Sequence, residues 1–252
     1  MSETRAVQAT ETRSIDDSWE NVYKLGGAAA LGAVLVGLAE IAITFLPGGG
    51  MSEGAETVLD WFALFQENWF LGLRNLGLLN IVITALGIPV YLALYGAHRR
   101  VRLMPYAALA TITYFIGAGV FLGTNRAFPM LALSQQYAAA TSEAQKAMIT
   151  AAAQAMLSVG QSHTPGTFLG FLFSEISGII MSIVMIRSRV FSKVTAYAGI
   201  VGFGCLLVFE ISASFIPGLA VVTVLLAMVG GLLSMAWYVL IALRLFGLGR
   251  VE

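Results

Sequence analysis

The chain has 252 residues, of which 58% are hydrophobic and only 11% are charged, with a mean hydropathy of +0.83. A water-soluble domain carries roughly 25% charged residues to cover its surface, so this composition excludes a soluble globule and makes lipid the main solvent. Fourteen basic and fourteen acidic residues cancel, leaving no basic excess of the kind a nucleic-acid partner requires.

In chain order, Met1 to Tyr23 is polar and mixed in charge, and it reads as a mobile cytoplasmic tail (1–23) with a short interfacial helix around Ile15 to Tyr23. Residues 24–247 read as one transmembrane domain, followed by a short cytoplasmic C-terminus, 248–252. About 20 apolar residues let an α-helix cross the hydrocarbon core of a bilayer. The first such run is Leu25 to Leu46, too long for a signal-peptide core and with no small-x-small cleavage site after it. Pro47 and Gly48 to Gly50 are placed to stop it.

Glu56 to Phe70 puts Glu56, Asp60, Ala63 and Glu67 on one helical stripe and Val58, Phe62, Phe65 and Trp69 on the other side. With Trp61, that pattern suits a helix lying in the membrane interface. The second crossing spans Leu71 to Tyr95, with Pro89 as a kink site, and the third spans Leu103 to Thr124. The segment 125–163 forms an extracytoplasmic helical hairpin, Ser134 to Ala140 and Ser142 to Leu157, the latter opened by a Ser142/Gln145 capping box. Phe168 to Ile186 and Val194 to Ile216 are the fourth and fifth crossings, and Leu219 to Leu243 is the sixth. The fold class is therefore all-α: a polytopic bundle of six transmembrane helices with an outer interfacial helix and an outer helical hairpin.

Orientation follows from the basic residues. Arg99, Arg100 and Arg102 fill one turn, and Arg187, Arg189 and Lys193 fill another. With both termini and these turns in the cytoplasm, eleven of the fourteen Lys and Arg are inside, and only Arg74, Arg126 and Lys146 fall outside. This places the chain in the plasma membrane with both ends cytoplasmic. The six turn cations act as topology determinants and are candidates for lipid-headgroup contact. The 27 glycines lie scattered through apolar segments, as close helix packing requires.

Two segments, "IVMIRSRVFSKVTAYAGIVG" (Ile183 to Gly202) and "LSQQYAAATSEAQKAM" (Leu133 to Met148), carry a resemblance. The chain from about Asn68 to Arg244 resembles a prokaryotic domain-of-unknown-function family of six-helix integral membrane proteins. The resemblance implies the fold. The family has no established activity, so it implies no catalytic residue.

Function must then be sought in the polar residues of the crossings. An acidic residue at the bilayer centre costs roughly 2.5–3.5 kcal/mol on insertion scales and normally faces other helices. At about 1.5 Å per residue from the nearest cytoplasmic charge, Glu40, Glu210 and Asn80 lie about 24, 25 and 27 Å up, and Glu175 about 18 Å up. Small-residue stripes accompany them: Ala29, Ala33, Gly37, Glu40 and Thr44 on the first crossing; Gly77, Asn80, Thr84, Gly87 and Tyr91 on the second. The fifth carries Thr195, Gly199, Gly202, Leu206, Glu210 and Ser214.

Two readings stay open. One is an outer-half polar pocket built from Glu40, Asn80, Glu175 and Glu210, with Arg74 or Arg126 as counter-charge. The other is a set of interhelical hydrogen bonds, each worth on the order of 1 kcal/mol. The first makes the protein a non-enzymatic module that binds or senses a small apolar or amphiphilic molecule. Its alternative is a proton-coupled transporter using Glu175 and Glu210, and a third option is an intramembrane enzyme.

No nucleophile motif, phosphate loop or metal-ligand pattern appears, so no catalytic residue, metal or cofactor is assigned. His98 reads as a further positive group at the inner interface, and His163 with Glu175 is too sparse for a zinc site. Cys205, the only cysteine, excludes an intrachain disulfide. The partners are membrane lipid, the small ligand and, for added volume, a second copy in a homodimer.

Overall fold

The computed structural model describes residues 2–44, 57–160, 163–216 and 218–250, with the side chains of the first helix described for 19–43. Ten α-helices run through these residues, and no strand occurs among them. They are α1 (Ser2–Thr44), α2 (Val58–Glu67), α3 (Trp69–Asn75), α4 (Leu78–His98) and α5 (Met104–Thr124). Then follow α6 (Ala127–Ala139), α7 (Glu143–Leu157), α8 (Phe168–Ser188), α9 (Lys193–Phe215) and α10 (Ala220–Leu248).

Six of these elements, α1, α4, α5, α8, α9 and α10, contain spans long and apolar enough to cross a membrane. They close into a ring in sequence order, each packing on the next, with α10 returning to α1. Their basic ends coincide. His98 Nε2 meets Ser188 Oγ at 3.1 Å, Arg244 Nε donates to Val190 O at 2.9 Å, and Arg99 donates to the Tyr23 hydroxyl. The turns rich in Arg and Lys thus share one end of the bundle with Tyr23 of α1.

The first helix departs from expectation. The polar segment 2–23 is not a loose tail but the first half of one continuous helix, about 65 Å long at 1.5 Å per residue. Trp19 explains part of this: its ring fills the space over Gly96, where a Cβ would collide with it, and Arg99 stacks over it at 5.0 Å. The stop expected at Pro47 to Gly50 lies outside the described residues, as does Glu56.

The expected second crossing is divided. α3 ends at Asn75, and α4 begins only after Gly77, whose φ of 97° is open to glycine at no steric cost. Asn125 Nδ2 supports the break by donating to Leu76 O at 3.5 Å.

At the end opposite the basic turns, α2, α3, α6 and α7 build a second small core. Val58, Trp61, Phe62 and Phe65 are buried there against Met130, Ala127 and Ala153. The apolar side of α2 therefore meets protein. Trp69, expected on that side, is 59% exposed, whereas Trp61 is buried. A capping box holds the start of α2: Asp60 N donates to Thr57 Oγ1 (3.3 Å) and Thr57 N to Asp60 Oδ2 (2.7 Å). At α7, Ser142 Oγ caps Gln145 N at 3.3 Å, but Gln145 Oε1 accepts from Thr141 N rather than from Ser142.

Inside the ring the packing is uneven along its length. Toward the basic end the interior is filled by Val90, Leu94, Met181, Met185, Ile241 and Leu245. His98 belongs to this filled half. It is fully buried, its Nδ1 donates to Leu94 O at 2.7 Å, and its ring stacks on Phe191, so it is not the exposed positive group its neighbours suggest. Toward the other end the filling stops at a layer of aromatic rings.

Candidate functional site

Above that aromatic layer lies a cavity of about 250 Å³. Its floor and walls are Tyr91 (α4), Tyr114 (α5), Phe171 (α8), Phe203 (α9) and Tyr238 (α10). Its polar lining is Asn80, Thr84, His163, Ser174, Glu175 and Ser234.

The floor is fixed by ring packing and paired hydroxyls. Tyr91 and Tyr114 stack at 4.1 Å with planes 9° apart. Tyr114 donates to Thr84 O at 2.8 Å, and the Tyr91 hydroxyl hydrogen-bonds with Ser177 Oγ at 2.9 Å. This arrangement needs a glycine at position 87, because a Cβ there would run into the Tyr114 hydroxyl. Trp237 is wholly buried beside the floor, edge-on to Phe203 at 5.1 Å. Gly178 makes room for the Phe203 ring in the same way.

Glu175 is 9% exposed, and its Oε2 has no hydrogen-bond partner among the described residues. It stands on the second turn of α8 beside Ser174, whose hydroxyl donates to Gly170 O at 3.0 Å. Glu210, the other acidic residue of this region, is engaged elsewhere. Glu210 Oε2 meets His163 Nδ1 at 2.6 Å, and Ser214 Oγ donates to Oε1 at 3.4 Å. His163 is held between the rings of Phe171 (4.4 Å) and Phe209 (4.8 Å). Its φ of 62° is left-handed, an uncommon conformation for a side-chain-bearing residue, though histidine is among those that adopt it more often. That backbone turn carries the imidazole from the α7–α8 connection to α9.

The six candidate residues divide into groups. Asn80 and Glu175 line the cavity, and Glu210 joins it through His163. Glu40 does not join them. Its Oε1 lies 3.0 Å from Nη2 of Arg74, whose Nη1 donates to Asn75 Oδ1 at 3.0 Å. Arg74, expected with Arg126 as the pocket's counter-charge, pairs with Glu40, and Glu210 pairs with His163. Arg126 is buried at the start of α6, and its Nε has no hydrogen-bond partner among the described residues.

Counting along the chain does not give position around the ring. α1 packs on α4 and α10, and α9 on α8 and α10, so Glu40 and Glu210 stand on helices that are not neighbours. The stripe on α4 did carry the needed signal: its Asn80, Thr84 and Tyr91 all line the cavity. No group of three or more His, Cys, Asp or Glu positioned to hold a metal ion occurs among the described residues.

No family model, curated protein or solved structure matches this chain.

Proposed function

We propose that this protein is an integral membrane receptor for a small amphiphilic molecule, held in the cavity beneath Asn80 and His163. The observation that carries the reading is Glu175: an acidic side chain, all but buried and with an unpartnered oxygen, on the wall of a cavity otherwise lined by aromatic rings. A buried polar atom is ordinarily hydrogen-bonded, so a buried carboxyl with an unpartnered oxygen, set in a cavity wall, has bonding capacity that a ligand's donor would use. Apolar walls with a few convergent polar groups are the usual composition of a small-molecule site.

The test is native mass spectrometry of the full chain released from detergent. The wild-type protein should carry a small-molecule adduct, and Ile83→Trp, which fills the cavity, should lack it while melting within a few degrees of wild type. Loss of the adduct from neither protein, or its absence from both after mild extraction, counts against the reading.

A second reading has its own support. Glu175 and His163 line one cavity and His163 meets Glu210, a series of titratable groups of the kind found along proton paths. On this reading the protein is a proton-coupled transporter, and uptake into liposomes should follow an imposed proton gradient and vanish in Glu175→Gln.

The basic-residue count orients the molecule with both termini and the basic turns in the cytoplasm, and with α2, α3, α6 and α7 outside. In a Cys205→Ala background, Ser142→Cys should react with an impermeant maleimide applied to intact cells, and Ser188→Cys only after lysis. The reverse pattern would invert the topology.

A further inference from the structure

We infer that the cavity selects a small organic cation, an ammonium group carried on a single ring or short alkyl body. This rests on the cavity being a ligand site, and it adds the ligand's charge.

Ser174 donates to Gly170 O, Ser234 to Gly231 O at 2.9 Å, and Tyr114 to Thr84 O. Each hydroxyl hydrogen is committed to the backbone, so these groups offer the cavity oxygen lone pairs rather than donors. Glu175 contributes a carboxyl with an unpartnered Oε2, and Glu210 adds a second acidic group behind His163. Among the described residues, no Lys or Arg lines the cavity. An anion would therefore face two acidic groups with no Lys or Arg beside it to offset them, and a neutral ligand would leave the buried carboxyl un-ionised, whereas a cation supplies the counter-charge that lets it ionise.

A cation satisfies all of these groups together. Its N–H groups suit the carboxylate, with a charge-assisted bond stronger than a neutral one. Its charge also suits the faces of the rings that form the floor and walls, since aromatic faces attract cations. The volume of about 250 Å³ lies below the roughly 300–1,000 Å³ of drug-sized sites, which limits the body to one ring or a short chain.

Three probes of equal shape and different charge test this: benzylammonium, benzyl alcohol and benzoate, each titrated calorimetrically into the full chain in nanodiscs with empty nanodiscs subtracted. Benzylammonium should bind about tenfold to thirtyfold more tightly than benzyl alcohol, and benzoate should not bind. Glu175→Gln should remove that preference while leaving benzyl alcohol binding in place. Phe171→Leu, which keeps the carboxylate, should weaken benzylammonium about threefold or more.

Equal affinity for benzylammonium and benzyl alcohol, or a preference that survives in Glu175→Gln, overturns the charge assignment but leaves the cavity a ligand site. If no probe binds the wild-type protein, both the charge assignment and the site fall. Should Glu175→Gln fail to fold, the wild-type probe series and Phe171→Leu decide the matter between them.

Discussion

Trp237→Ala should be the most damaging single truncation, lowering stability by about 3–5 kcal/mol. The indole is wholly buried, edge-on to Phe203 at 5.1 Å and 6.4 Å from Tyr91. It stands where α10 meets α9 and approaches α4, so one side chain joins three helices of the ring. The site has little freedom to collapse, because Gly199 and Gly202 have already brought α9 against Trp237 and α10. The cavity left behind would therefore persist, and the stability cost rises with residual cavity volume. Thermal unfolding of the purified protein reads the loss. It should be accompanied by a weaker ligand site, since Phe203 and Tyr91 are also cavity walls. A variant that melts within a degree or two of wild type would mean that the floor is not held by this ring.

The second large effect is expected at Arg74. Its side chain is fully buried, while that of Glu40 is 22% exposed. Removing one member of a buried ion pair costs about 3–5 kcal/mol when the other is stranded. Glu40 is partly open to its surroundings and can be solvated in part, so Arg74→Met should fall at the low end, near 3 kcal/mol. The opposite change, Glu40→Leu, leaves the guanidinium with Asn75 Oδ1 and Glu40 O still in place as acceptors.

The double variant is the sharper measurement. Apolar replacement of a whole buried pair is often close to neutral, so Glu40→Leu with Arg74→Met should be less damaging than the two single changes combined, by 1 kcal/mol or more. Strict additivity would show that the two groups do not act on each other. The ligand site should be spared in all three proteins, because neither residue lines the cavity.

The two pairs also show what the amino-acid order contained and what it did not. The six crossings were legible because each needs only a local property, a long apolar run bounded by charge or by Gly and Pro. The same held for the inward faces: Ala29, Ala33, Gly199, Gly202 and Glu210 are all buried, as their spacing on the helices required. What periodicity does not contain is which helix stands beside which. Counting puts Glu40 and Glu210 at similar heights, yet their helices are separated in the ring, and each found a different partner.

His163 was missed for a related reason. It lies in a connection 47 residues from Glu210, and only a left-handed backbone turn brings it to the bundle. The aromatic floor was missed because tyrosine and phenylalanine on a membrane helix are usually packing or lipid contact. The one hint was Tyr91, which continues the small polar stripe of Asn80, Thr84 and Gly87. The α2 segment shows the converse error: its apolar face was correctly found in Val58, Phe62 and Phe65, but that face meets α6 and α7 within the same chain.

That a buried acidic side chain lies on the wall of a ligand cavity among α4, α5, α8, α9 and α10 is tested most directly by a cryo-EM map of the full chain in lipid nanodiscs. Such a map should place Glu175 on the wall beside Tyr114 and Phe203, with non-protein density against its carboxyl. A map in which side chains fill that space, or in which Glu175 points outward to lipid, would contradict it.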